Sequence, residues 1–309
     1  MEKTTMFDFT ALDQKQIAMF GAMLGDALGV PHEFKEDHAI NPYFVDHPTE
    51  IDLDYKTYGV PLGVYSDDFS QQLCVNVHFN AETTDATPFY EDLLQWRKGK
   101  YWVSGQAFDE GMQTASQLAH YGRKGDIRIH ESRASGNGSL MRVLPIAFVT
   151  DDSHTMIRMA FQCSVITHNS EDCIKACQFY VLLARMIADQ QNKQGSHIDK
   201  AQFLMLWSLA GAVLEWSPPE YQQDFGSGYV IDTLNIVLDC IENTHNYAAA
   251  VKRAIMYGGD TDTNACVVGG IAALVFGLEA IPSEWVQFIQ PSLENRYVKE
   301  LFHLNEEHV

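Results

Sequence analysis

Gly258-Gly259-Asp260-Thr261-Asp262-Thr263-Asn264 leads into Ala265 to Leu278, the longest uncharged apolar run of the chain. Asn264 to Gly277 reads as a helix that is apolar on every side, which places it inside a core rather than on a surface. The glycine pair lets the backbone approach a neighbour closely. Asp260 and Asp262 stand two apart at the mouth of this helix, with Thr263 next. Carboxylates at the end of a buried helix need pairing or a metal. A second acidic cluster, Tyr65-Ser66-Asp67-Asp68, opens another apolar helix. Taken alone it can be a capping motif, because helix N-termini favour carboxylates and hydroxyls. Brought together by a folded core, four carboxylates repel unless something positive sits between them. Oxygen-only ligands at this density suit a hard divalent cation such as Mg²⁺ or Mn²⁺.

Outward from these clusters the periodicity is helical. Ile17, Phe20, Leu24 and Leu28 recur at helical spacing, while Gly21, Gly25 and Gly29 recur every fourth residue. Glycine lowers helix propensity, so this repetition predicts close approach of another helix or a ligand. Asp13 is the expected N-cap. Gly29-Val30-Pro31 ends the helix and throws His32 and Glu33 onto the following turn. Residues 35–65 read as irregular, with turn signals at Asn41-Pro42, His47-Pro48 and Gly59-Val60-Pro61. Long loops of this kind are often functional. Helices are predicted over 68–80, 88–97, 104–121, 139–148, 153–165, 171–190, 199–214, 228–243, 246–257, 262–277 and 283–290, with a polar connector from Gln190 to Ser196. There is no β-alternation, no βαβ rhythm and no dividing linker. The expectation is an all-α chain: an N-terminal extension over 1–14 and a single helical domain over 15–309.

Composition narrows the function. The chain has 309 residues, 46% of them hydrophobic, enough for a sizeable core. A net charge of −20 argues against nucleic acid, whose phosphates need Lys and Arg, and against an anionic membrane. No Sec-type signal is read at Met1 to Thr10, and the Ala265 to Leu278 run is short of a membrane span of about 20 residues. The six cysteines, at 74, 163, 173, 177, 240 and 266, form no CxxC pair and read as reduced, buried thiols of a cytoplasmic protein. Arg123, Lys124, Arg128 and Arg133 make a local basic island in the loop 122–138.

Two further motifs carry chemistry. Ser135-Gly136-Asn137-Gly138-Ser139-Leu140-Met141-Arg142 bares backbone N–H groups ahead of a helix, an arrangement that suits phosphate and also fits a plain tight turn. Thr167-His168-Asn169-Ser170 precedes the helix at Glu171, where His168 is either structural or functional.

Taken in order, Gly-Asp-Ala-Leu-Gly-Val-Pro-His-Glu (25–33), Ser-Asp-Asp (66–68), Gly-Asn-Gly-Ser-Leu-Met-Arg (136–142), Thr-His (167–168) and Gly-Gly-Asp-Thr-Asp-Thr (258–263) resemble the ADP-ribosylglycohydrolase family. Gly277-Leu278-Glu279-Ala280-Ile281-Pro282 is also similar, and the likeness spans residues 15 to 290. The resemblance implies an all-α orthogonal bundle and a centre of two Mg²⁺ or Mn²⁺ ions. It implies hydrolysis of the N- or O-glycosidic bond between ADP-ribose and a protein side chain, arginine foremost. It makes Ser66, Asp67, Asp68, Asp260, Asp262 and Thr263 metal ligands and puts Glu33 at or near the metals. Gly136, Asn137, Gly138 and Ser139 would hold the diphosphate and distal ribose, with His168 beside the nucleotide. Asp67, Asp68 and Glu33 are the unranked candidates for proton transfer.

Where the family has Thr-Asp-Asp-Thr, this chain has Ser66-Asp67-Asp68-Phe69, so Phe69 removes a hydroxyl. The implied partners are an ADP-ribosylated protein and, for an immunity role, an ADP-ribosyltransferase toxin. The alternative is an immunity protein that neutralises such a toxin mainly by binding its active site, for which the segment Met1 to Leu12 is available. A crystallin-like use of the fold and a small ADP-ribose derivative as substrate are further readings.

Overall fold

The structure, a computed structural model, describes residues 9–304 apart from 53, 57, 84, 126–134 and 221–225. Among the described residues there are fourteen α-helices and no strand. α1 (Gln14–Gly29) is followed by the short α2 (Pro42–Asp46), then α3 (Asp67–His78), α4 (Thr87–Trp96) and α5 (Met112–Lys124). Next come α6 (Ser153–Val165), α7 (Glu171–Gln194), α8 (Lys200–Leu214), α9 (Val230–Asn243) and α10 (Tyr247–Ile255). After them run α11 (Thr261–Phe276), α12 (Ser283–Phe288), α13 (Gln290–Leu293) and α14 (Arg296–Phe302). No helix among them is long and apolar enough to cross a membrane.

α11 is the axis of the core: every residue from Thr261 to Val275 is buried. α1 lies against it so closely that the glycine stripe is a steric requirement. A Cβ at Gly25 would sit 2.1 Å from the Ala265 carbonyl oxygen, one at Gly21 2.5 Å from that of Gly269, and one at Gly29 2.4 Å from Asp262 Cα. The expected helix-on-helix approach is thus backbone against backbone. Buried tyrosines satisfy polar groups along this axis: Tyr247 Oη donates to Gly21 O at 2.6 Å and Tyr180 Oη to Val267 O at 2.8 Å. α1 starts where Asp13 predicts, in a capping box. The Gln16 N–H donates to Asp13 Oδ1 at 2.8 Å, and the Asp13 N–H to Gln16 Oε1 at 2.9 Å.

Besides forming short helices at Pro42–Asp46, Gln290–Leu293 and Arg296–Phe302, where none was expected, the structure departs from the periodicity in three places. The helix expected over 104–121 begins only at Met112, because Gly99, Tyr101 and Gly105 take positive φ and carry residues 97–111 as a loop. The helix expected over 139–148 is a tight turn followed by a 3₁₀ segment, Leu144–Phe148. Pro145 has no N–H to give to an α-ladder. The polar connector expected from Gln190 is mostly helix, since α7 runs to Gln194 and stops at Gly195 in the left-handed conformation. All six cysteines are buried and free, as anticipated.

Cys74, His78 and Asp92 bring their ligand atoms within 4.8 Å of one another where α3 meets α4. Lys100 Nζ donates to Asp92 Oδ1 at 2.5 Å, while Tyr101 Oη and His78 Nε2 lie 2.5 and 2.8 Å from Oδ2. The carboxylate is therefore balanced from within the protein. Burial pushes the Asp92 carboxyl up, but the bonds from His78, Lys100 and Tyr101 outweigh it and hold it below the usual carboxylate range.

Two stability outcomes follow from these contacts. Gly25→Ala should cost about 3 kcal/mol or more in urea unfolding, whereas Gly59→Ala, with open space around its Cβ, should stay within about 0.5 kcal/mol of the parent. Asp92→Asn should lose about 3 kcal/mol at neutral pH. A depressed carboxyl stabilises above its unfolded pKa of about 4, so the gap between parent and variant should close as pH falls below that value.

Candidate active site

The first acidic cluster is built onto the N-terminus of α3. Ser66 caps it, its hydroxyl accepting the Asp68 N–H at 3.3 Å. Asp26 of α1 supplies the rest of the cap: Oδ1 accepts the Ser66 N–H at 2.8 Å and Oδ2 the Phe69 N–H at 2.9 Å. A carboxylate from one helix thereby fixes the first turn of another, and with it the aim of Asp67 and Asp68. Phe69, the departure from the family pattern, points into the core with its ring 5.2 Å from that of Tyr65.

The second cluster meets the first through hydroxyls. Asp68 Oδ2 accepts from Ser66 Oγ and Thr263 Oγ1, each at 3.2 Å. Asp262 Oδ1 accepts the Thr263 N–H at 2.9 Å. Oxygen atoms of Glu33, Asp109 and Asp262 lie within 4.8 Å of one another. Asp109 hydrogen-bonds Asp67, and Tyr58 hydrogen-bonds both Glu33 and Asp109. Asp68 Oδ1 and Asp262 Oδ2 are buried with no hydrogen-bond partner.

Seven carboxylates thus share one region: Asp26, Glu33, Asp67, Asp68, Asp109, Asp260 and Asp262. Burial, reinforced by the neighbouring acids, pushes Asp67, Asp68 and Asp262 well above the usual carboxylate range. The same causes bring Glu33 to about 9 and Asp109 to about 6. Burial also lifts Asp26, to about 7, although its two backbone N–H bonds pull the other way. Carboxylates so placed either hold protons between them or hold a cation.

Above the acids lies a cleft of about 790 Å³. Glu33, Asp67, Asp109, Asp260 and Thr263 line one end, and Asn137, Gly138 and His168 the other. Ser66, Asp68 and Asp262 are buried beneath the first end. None of the described residues lining the cleft is a lysine or arginine.

Asn137 joins the two ends: its Nδ2 donates to Asp260 Oδ2 at 2.8 Å and to Thr233 Oγ1 at 3.1 Å. Its backbone N–H donates to Gly228 O at 3.0 Å, docking the 135–138 turn on the start of α9. A Cβ at Gly138 would come within 2.9 Å of His168 Cε1, so the turn lies directly on the imidazole. Burial, with the nearby Arg142 charge, lowers His168 to about 3 and keeps it neutral. Gly136 and Ser139 sit behind this wall. The Gly136 carbonyl is near Cys173 Sγ at 3.2 Å, and Ser139 Oγ is 2.9 Å from Ser164 Oγ.

The fully buried Arg142 spans the space below. It donates to Gln71 Oε1 at 2.8 Å, Cys163 O at 2.8 Å and Thr167 Oγ1 at 2.6 Å. Gln71 Nε2 reaches Asp67 Oδ2 at 3.3 Å, and Thr167 Oγ1 lies 2.8 Å from His168 Nδ1. One relay therefore runs from the acids to the turn.

Sequence reasoning brought the two clusters, Glu33, the turn and His168 to one place. It missed Asp26, Tyr58 and Asp109 as parts of the site. Asp26 stands within the quoted 25–33 motif, and Tyr58 within the loop marked as functional. Asp109 was hidden inside a predicted helix that the chain does not form there. Of the basic island, Arg123 and Lys124 end α5, while Arg128 and Arg133 lie outside the described residues.

A sequence profile of the ADP-ribosylglycohydrolase family matches residues 10–308. The chain is 26% identical to ADP-ribosylarginine hydrolase Tri1 of Pseudomonas putida (strain GB-1), over 94% of this chain and 78% of that protein. It is 24% identical to the ADP-ribosyl-[dinitrogen reductase] glycohydrolase of Rhodospirillum rubrum, over 90% of each. A solved structure described as an ADP-ribosylglycohydrolase-related protein complex shares the fold at a TM-score of 0.73 and 24% identity, covering 94% of this chain and 97% of that one. An all-α fold with its acids at the mouth of a buried helix, and a family match over nearly its whole length, make this chain a member of the ADP-ribosylglycohydrolase family.

Proposed function

We propose that the protein hydrolyses the bond between ADP-ribose and a modified arginine side chain, using a pair of Mg²⁺ or Mn²⁺ ions. The observation that carries this reading is the acid floor of the cleft, with Asp68 Oδ1 and Asp262 Oδ2 buried and unpartnered and no described lysine or arginine in the lining. An all-oxygen donor set of that charge fits hard divalent ions. Ser66, Asp67, Asp68, Asp260, Asp262 and Thr263 would hold them, with Glu33 and Asp109 close by. When bound, such ions supply Lewis acidity and a site for ribose hydroxyls and water. The names of the relatives favour arginine as the linkage.

The residues divide the remaining work. Cleavage at the anomeric carbon builds oxocarbenium-like positive charge, which the surrounding carboxylates stabilise. The C–N bond breaks toward the guanidine, which leaves far better when protonated, while water adds to the anomeric carbon and gives its proton to a carboxylate of the cluster. Asp67 and Asp109 share a hydrogen bond, and Glu33 is held by Tyr58, so this end of the cleft can hold a proton and pass it to the leaving nitrogen. Asn137, Gly138 and the neutral His168 form the wall where the diphosphate and distal ribose would lie. The Asn137 N–H is already bonded to Gly228 O, so this wall would meet a phosphate-bearing ligand with the close-lying Gly138 backbone and an uncharged imidazole.

Free ADP-ribose should be released from arginine-ADP-ribosylated protein in Mg²⁺ or Mn²⁺ and not in EDTA. Asp262→Ala should lower that rate by about 100-fold or more. Full metal-dependent turnover by this variant would remove Asp262 from the ligand set. Asp26→Asn keeps one acceptor for the α3 cap and should weaken Mn²⁺ binding by about 10–100-fold in calorimetry; unchanged affinity would mean that the cap does not aim the acids. The binding-only immunity reading rests on Met1 to Leu12, of which residues 1–8 lie outside the described residues. A folded protein that captures a toxin stoichiometrically, with no ADP-ribose release in either metal, would favour it.

A further inference from the structure

Two large apolar side chains of the cleft lining stand in solvent. Phe34 directly follows Glu33 and is 66% exposed; Met112 follows Asp109 by three residues and is 91% exposed; both line the cleft. Phe34 holds φ at 61°, the left-handed region that bulky side chains avoid. This conformation is pinned from both sides: the Phe34 N–H donates to Gly259 O at 2.7 Å, and the Gly259 N–H to Lys35 O at 2.7 Å. The ring also heads an aromatic chain into the core. Its centroid lies 6.3 Å from that of Tyr58, which is 5.4 Å from Phe108, itself 5.0 Å from the buried Trp102. An aromatic ring strained in backbone, propped from beneath and left in water gains little from burial. Strain of this kind marks a contact made when the site is filled.

The direction of the cleft says what that contact is. The reacting carbon must lie over the acids, and ADP-ribose extends from there toward Gly138 and His168. Whatever was attached to it must leave over the rim beside the acids, where Phe34 directly follows Glu33 and Met112 stands three residues after Asp109, at the start of the helix whose Gln113 reaches Thr167 O at 3.0 Å. We propose that Phe34 and Met112 are specificity-determining residues that grip the polypeptide flanking the modified side chain, so that the enzyme selects ADP-ribosylated protein over small ADP-ribosyl compounds. This assignment rests on the hydrolase reading above. The occupant is a protein segment with apolar residues beside a modified arginine. Beyond Phe34 and Lys35, the exposed Glu36 and Asp37, which share the single His38 Nδ1 at 3.4 and 3.5 Å, suit cationic neighbours.

The test compares two substrates in Mg²⁺: an arginine-ADP-ribosylated protein and ADP-ribosyl-arginine as the free amino acid. Phe34→Ala and Met112→Gln should each raise KM for the protein about tenfold, with kcat kept and the amino-acid substrate turned over within about twofold of the parent. Met112→Gln changes a side chain that is almost wholly in solvent, so it reports even if Phe34→Ala perturbs the strained turn. Equal losses on both substrates, or no loss on the protein in either variant, would overturn the assignment. A change of oligomeric state in Met112→Gln without a protein-specific loss would also overturn it, making the lip an interface between copies. Parent enzyme that cleaves neither substrate would overturn the hydrolase reading, and the lip assignment with it.

Discussion

The contact of α1 with α11, backbone on backbone, is the constraint on which the site depends. Gly21, Gly25 and Gly29 let the two helices meet with no side chain larger than the Ala273 methyl at these three points. Their meeting brings the end of α1, with Asp26 and Glu33, to the start of α11, with Asp262 and Thr263. Thr261 Oγ1 closes the junction by donating to Gly29 O at 2.9 Å. Asp26 then reaches across to cap α3, which delivers Asp67 and Asp68. The second acidic cluster and the first are in this way positioned by the same pair of helices.

That geometry is electrostatically expensive. Burial raises Asp26, Glu33, Asp67, Asp68, Asp109 and Asp262, and neighbouring acids raise them further, against the pull of the hydrogen bonds that some of them accept. Proteins place such clusters where function requires them, and the cost is met elsewhere in the fold. The fully buried α11 and the tyrosine bonds to its axis and to α1 are the counterweight here. The contrast with Asp92 is instructive. That carboxylate is also buried, but Lys100, His78 and Tyr101 surround it and its pKa goes down. These two buried acid sites therefore carry opposite signs, and of the two it is the one in the cleft that is left short of positive partners among the described residues.

The all-α class and the buried helix were legible because periodicity and charge exclusion are local signals. The glycine stripe was legible because a residue type that weakens helices recurred at helical spacing. Ser66 to Asp68 and Asp260 to Thr263 could be read because each is dense in one chemistry. Asp109 could not, since one acid beside Glu110 in an amphipathic stretch looks like a solvated helix face. What brings it to the other acids is the loop formed by Gly99, Tyr101 and Gly105, whose positive φ values no pattern of hydrophobicity records. Tyr58 escaped for the same reason. Its role is a hydrogen bond to two carboxylates that only the tertiary fold brings near. The turn before Leu144 was misread as helix because hydrophobic spacing outweighed the missing N–H of Pro145.

The hydroxyl bond from Thr263 to Asp68 joins residues 195 apart in the chain. A ribosome must deliver more than four-fifths of the polypeptide before this bond can form. Until then the early acids emerge far from the late ones, each in water and separately hydrated. The crowded charge comes into being only as the last large core helix docks. A partly made chain consequently cannot assemble the acid cluster, which exists only once residues from both clusters have met.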